Sequence, residues 1–229
     1  MMAVAIVFSA CKKDEDDDEP RKRLVKVEIT SSKYNQTDTY TYNANNQVSV
    51  HQYEYVSESS NNQKTTTYTY NAAGEPTQWE QTGTSYGNGI TTATISNNSI
   101  VVTKPTGSVT TYTLDANRRI TQSDDGTFQY NYFYIGDNLD RTEGLLSIKQ
   151  SYDLTKNNVM PAIGVSHWTP SKNLPHKAWL YNGSDQSNMS LLTEYTYQFN
   201  ADGTPATAVM YNGLYPDVDF YVTFTYEEY

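Results

Sequence analysis

The chain has 229 residues, enough to bury a self-sufficient core, and its 16 basic against 26 acidic side chains give a net charge of −10. That sign repels phosphate backbones, so nucleic acid is not an expected partner. Hydrophobic residues make up only 37 %, but 13 % aromatic and 18 % charged residues is not the composition of a disordered chain. Of the aromatics 21 are Tyr, and Tyr interleaved with Thr suits a pleated, half-wet surface, which points to an all-β protein.

Met1 to Ala10 is apolar but falls far short of the ~20 residues a helix needs to cross a bilayer. It has the length of a signal-peptide core, and the small residues Ser9 and Ala10 directly precede the only cysteine, Cys11. Phe8-Ser9-Ala10-Cys11 resembles a bacterial lipoprotein box, with Phe8 in place of the usual Leu. The resemblance implies that residues 1–10 are a signal peptide and that Cys11 carries the covalent lipid, which makes the membrane a partner. Residues 11–23, which include Lys12-Lys13-Asp14-Glu15-Asp16-Asp17-Asp18-Glu19-Pro20, read as a charged tether that cannot bury anything. This run is similar to the acidic stretch behind the lipidated cysteine of Bacteroidota lipoproteins exported to the outer face of the outer membrane. A lipid-anchored position facing the cell exterior is what that similarity implies.

From Leu24 to Tyr229 short alternating runs separated by turn residues predict one domain, an antiparallel meander that forms a curved sheet or open, barrel-like cradle of 12 to 15 strands. In chain order the strands are expected at Leu24 to Ile29, Gln36 to Asn43, Gln47 to Val56, Lys64 to Asn71, Thr77 to Thr82, Thr91 to Ser96, Ser99 to Lys104 and Val109 to Asp115. They continue at Arg119 to Ser123, Thr127 to Ile135, Leu145 to Tyr152, Lys177 to Tyr181, Leu192 to Asn200, Thr207 to Tyr211 and Val218 to Glu227. One unit recurs at Tyr40 to Val48, Tyr68 to Pro76, Tyr112 to Ile120 and Tyr197 to Pro205: aromatic, polar, apolar, then Asn or Asp, Ala, any residue, and Gly or Asn. Asn43, Asn71, Asp115 and Asn200 can accept a hydrogen bond from the backbone two residues on, and Asn46, Gly74 or Gly203 supplies the positive φ. In the third copy Arg118 breaks the pattern, unless Asn117 takes the left-handed position instead. On a period of two, Tyr40 with Tyr42, Tyr68 with Tyr70, and Tyr197 with Phe199 share one face, and the intervening threonines face water. A membrane barrel needs an apolar outer band, and that threonine face does not provide one.

The unit resembles the YD or RHS-type repeat. With the lipobox, the acidic tether and Ser171-Lys172-Asn173-Leu174-Pro175 leading into Lys177 to Tyr181, the body from Leu24 to Tyr229, most of the chain, resembles a family of Bacteroidota surface lipoproteins described as a domain of unknown function with a porin-like fold. That resemblance implies a shape and carries no activity or site residues.

Candidate chemistry is sparse. His51 and Glu54 are three apart on a strand and point to opposite faces, so they cannot share a metal ion. His167 and His176 flank a loop within the irregular segment Lys156 to His176, and no nucleophile elbow, phosphate loop or Cys and His cluster is present. No catalytic residue, cofactor or metal site is expected. A long irregular connection in a β domain is often functional, and Trp168 within it is the first candidate to stack on a sugar ring, followed by Trp179 and Trp79. The competing reading makes these indoles core, with Trp168 plugging an open end of the sheet. The expected function is a non-catalytic binding module for a glycan or an envelope protein; a structural accessory lipoprotein and a glycan-processing enzyme are the alternatives.

Overall fold

The structure is a computed structural model that describes residues 21–229 apart from 85–87, 162, 170 and 184. Cys11, the signal peptide and most of the tether lie outside the described residues. Sixteen strands follow one another: β1 (Lys22–Thr30), β2 (Tyr34–Tyr42), β3 (Val48–Ser57), β4 (Asn61–Tyr70), β5 (Pro76–Gly83), β6 (Gly89–Ile95), β7 (Ser99–Thr103) and β8 (Val109–Leu114). The second half runs β9 (Ile120–Asp124), β10 (Gln129–Ile135), β11 (Asn138–Glu143), β12 (Leu146–Asn157), β13 (Asn173–Asn182), β14 (Ser190–Phe199), β15 (Pro205–Asn212) and β16 (Phe220–Glu228). Each strand pairs antiparallel with its neighbours in sequence, and β1 pairs with β16 from Lys22 opposite Glu228 to Thr30 opposite Tyr221, so the meander closes into a barrel. The expected all-β meander is present, with one strand more than predicted and no open edge. The unpredicted strand is β11, whose buried residues include Asn138 and Asp140 and therefore show no apolar alternation. The folded part also begins earlier than Leu24, because Lys22 and Arg23 already sit in the β1 ladder.

Alternation along the strands decides what the barrel holds and what it shows. On β4, β14 and β16 the residues Tyr68, Tyr197 and Phe224 pack into the interior, while their neighbours Thr67, Thr69, Thr196, Gln198, Thr223 and Thr225 are exposed. A barrel of 16 strands is wide enough for an aqueous channel. Here the lumen is filled. Leu24, Val27, Tyr40, Val48, Met210, Phe220 and Val222 form one core cluster, and Trp79, Ile100, Val102, Leu114, Ile120 and Trp168 form a second. Tyr68 packs against both, and so does the connection from β12 to β13, through Ile163 on the first and Val165 and Trp168 on the second.

The first three copies of the repeated unit make the expected turn bonds, whereas in the fourth Asp202 Oδ1, not Asn200, accepts from the Thr204 N–H at 3.0 Å. Asn43 Oδ1 accepts from the Asn45 and Gln47 N–H groups at 2.9 and 3.0 Å, and Asn71 and Asp115 do the same for Ala73 with Glu75 and for Asn117 with Arg119. Asn46, Gly74 and Gly203 take positive φ as expected. In the third copy the left-handed residue is Arg118 itself (φ 64°), not Asn117. Its guanidinium compensates for that backbone by donating to Ser96 O at 2.8 Å and Asn97 O at 3.1 Å and by pairing with Glu75.

A further device recurs that was not anticipated. Among the described residues six tyrosines donate their hydroxyl to a main-chain carbonyl on the preceding strand at 2.5–2.9 Å: Tyr42 to Leu24, Tyr70 to Val48, Tyr134 to Ile120, Tyr152 to Leu139, Tyr197 to Pro175 and Tyr226 to Pro205. Every one of these acceptors sits at a register shift. A bulge leaves a residue out of the ladder, and a carbonyl buried without a donor is costly, so the tyrosine replaces the missing partner. Phe would fill the same space without that bond. Tyr70→Phe is expected to cost about 1–3 kcal/mol through the orphaned Val48 carbonyl, whereas Tyr211→Phe on the exposed face should leave the denaturant midpoint unchanged. Equal midpoints for the two variants would remove this account.

Candidate functional site

In an antiparallel meander alternate connections fall at the same end, so the β2–β3, β4–β5, β8–β9 and β14–β15 turns gather at one rim together with the β12–β13 connection, the start of β1 and the end of β16. Side chains lace these turns together. Lys22 pairs with Asp202 at 2.7 Å, Arg23 donates to Asn46 at 2.9 Å, Gln47 donates to Gly74 O at 3.1 Å, Glu75 meets Arg118, and Arg119 donates to Gly136 O at 2.8 Å. The repeated unit thus supplies more than turn geometry, because the residues beside its left-handed positions are the ones that reach the next turn.

Trp168 is not available to a ligand. It closes a short 3₁₀ turn, Gly164–Trp168, and is 2 % exposed in the core beside Trp79, which is 9 % exposed. The sugar-stacking expectation is corrected for both. Hydrophobic burial claims these indoles, and the irregular connection serves as an internal plug. Trp168 Nε1 makes no hydrogen bond of good geometry, yet it lies close enough to the Glu75 carboxylate to help hold its charge. Burial pushes the Glu75 carboxyl up, but the Asn71 amide, the Arg118 guanidinium and Trp168 outweigh it and keep it below the ordinary range. Trp179 stands elsewhere, half-buried on the outer face of β13 opposite Lys149 and Leu191.

The three histidines are also separated. His51 is bound to Asp38 at 2.7 Å and stacked on Tyr40, and His176 lies 4.0 Å from Glu194. His167 stands against Trp168 with its ring edge-on, at the mouth of a cavity. Burial pushes its pKa below the ordinary value, with Glu75 opposing and Arg118 adding to the shift, which favours the neutral ring. Among the described residues no three His, Cys, Asp or Glu side chains are grouped to hold a metal ion.

The cavity has a volume of about 430 Å³, within the range of small-molecule sites. It opens at the rim, between the start of β1, the β2–β3 and β4–β5 turns and the plug, with Tyr42, Tyr70, Tyr226 and Tyr229 among its walls. A second hollow of about 310 Å³ shares Asn158 and Pro161 with it and extends past Ser166 and Thr169 towards Tyr152 and Pro175. Two cations border the larger cavity, and both are matched: Lys22 by Asp202 and Arg23 by Glu227, each at 2.7 Å. The Arg23 guanidinium also lies 4.4 Å from the Tyr42 ring centre and 4.9 Å from that of Tyr229, which fixes the wall. Sequence reading missed this site because its residues come from turns far apart in the chain. The one available signal was that basic Lys22 and Arg23 directly follow an acidic run.

No family model and no curated protein matches the chain. Among solved structures it is similar to the crystal structure of a porin-like protein from Bacteroides uniformis ATCC 8492, at 16 % identity and a TM-score of 0.44, over 89 % of this chain and 98 % of that one.

Proposed function

We propose that this protein is a lipid-anchored outer-membrane lipoprotein, held through Cys11 and facing the cell exterior, whose barrel stands in water as a non-catalytic binding module. The observation that supports it is the outer face of the strands. Thr67, Thr69, Thr196, Gln198, Thr223 and Thr225 are exposed where a spanning barrel must present an apolar band. A barrel with that surface does not enter the bilayer, so a membrane location requires an attachment outside it, and the Cys11 sequence offers one. Two or three acyl chains hold a protein stably where one holds weakly. Binding is placed at the rim cavity, with the filled lumen as its rigid support.

The test is detergent phase partitioning with metabolic labelling by a palmitate analogue. The native chain should be labelled and enter the detergent phase, and Cys11→Ser should be unlabelled and remain in the aqueous phase. A Cys11→Ser chain that still partitions with the membrane fraction would defeat the anchor.

A further inference from the structure

We infer that the rim cavity is a site for a neutral sugar ring, with His167 as its principal hydrogen-bonding group and the Tyr70 and Tyr226 rings as its apolar walls. The inference rests on the binding-module reading above and names the ligand class for the same site.

Three properties of the lining narrow the chemistry. The first is charge. Lys22 and Arg23 are each committed to a carboxylate, so an anionic ligand would have to compete with Asp202 and Glu227 for them, and a cationic ligand finds no acid among the described lining residues. The second is the state of the tyrosines. Tyr70 and Tyr226 already donate their hydroxyl hydrogens to Val48 O and Pro205 O, so they offer the cavity ring carbon and an acceptor lone pair. Aromatic carbon in fixed orientation suits the C–H face of a pyranose. The third is polarity. Neither ring nitrogen of His167 makes a hydrogen bond to a described residue, so both are available to a ligand in the cavity that His167 lines. A neutral imidazole carries one donor and one acceptor, the complement of a sugar hydroxyl. A ligand without charge, with hydroxyls at its edge and carbon on its face, satisfies all three.

The experiment uses the mature full chain in detergent micelles on an array of neutral oligosaccharides, with uronic-acid and sialylated oligosaccharides beside them. Native protein should bind at least one neutral member. His167→Ala should weaken that binding tenfold or more, and Val159→Trp, which fills the cavity without deleting any wall, should abolish it. Trp179→Ala, on the outer face, should bind as the native chain does. Circular dichroism of each variant establishes that it is folded. Two results overturn the inference: neutral-glycan binding that survives Val159→Trp, and a folded native chain that binds no neutral glycan. In the second case, binding of acidic members that Val159→Trp abolishes refutes the ligand class alone and leaves the binding module standing, whereas silence across the array counts against both.

Discussion

Trp168→Ala is expected to destabilise the barrel by about 3–5 kcal/mol, the cost of removing a large aromatic from a site that cannot collapse around the gap. For a domain of this size that is a fall in Tm on the order of 10 °C. The indole is 2 % exposed and lies where the plug meets the second core cluster, so its loss opens a hollow lined by rigid strands. It also withdraws the N–H that faces Glu75, and so weakens the join between the plug and the β4–β5 turn. Trp179→Ala, on a half-buried outer position, should lower Tm far less. Differential scanning calorimetry of the two variants separates a structural indole from a surface one. Equal small shifts would return Trp168 to the list of ligand contacts.

Alkali is expected to unfold the protein cooperatively between pH 10 and about 12. Burial, ahead of the nearby charges, pushes Tyr42, Tyr68 and Tyr70 up to about 12, and it raises Tyr40, Tyr134, Tyr197 and Tyr226 as well. The folded pKa of these groups lies above the unfolded value near 10. Their contribution to stability is therefore complete below pH 10 and is lost as the pH climbs through the folded values. At Tyr42, Tyr70, Tyr134, Tyr197 and Tyr226 the tyrosinate would also lose the hydrogen that satisfies a bulge carbonyl. Tyrosinate absorbance and far-UV circular dichroism should consequently change together, in one steep step. A broad absorbance titration centred near pH 10, with the circular dichroism intact, would show that the interior tyrosines are in contact with water.

These two expectations come from parts of the molecule that differ in how far the sequence reveals them. Period-two alternation and the Asx turns made the meander legible, because both are local and depend on residues within a few positions of each other. Strand β11 escaped because Asn138 is satisfied by a partner far along the chain, donating to Asn173 Oδ1 at 3.0 Å, and local periodicity does not record such a bond. Arg118 escaped for the same reason: its left-handed backbone is supported by carbonyls at Ser96 and Asn97 and by Glu75. The candidate site was the least legible part. Trp168 drew attention as a lone aromatic in an irregular segment, but whether such a side chain faces water or fills a lumen depends on closure of the sheet, and closure brings together the residues that line the cavity.

The seam between β1 and β16 sets the order in which the protein can be made. All other pairings join consecutive strands and can zip as soon as each hairpin has been made, whereas Arg23 meets Glu227 only after the last strand has arrived. Contacts that span so much of the chain form slowly. Until then both terminal strands are unpaired templates for another chain. Because β1 is the first strand made and the last to be satisfied on both sides, its free edge persists for as long as the rest of the barrel takes to form.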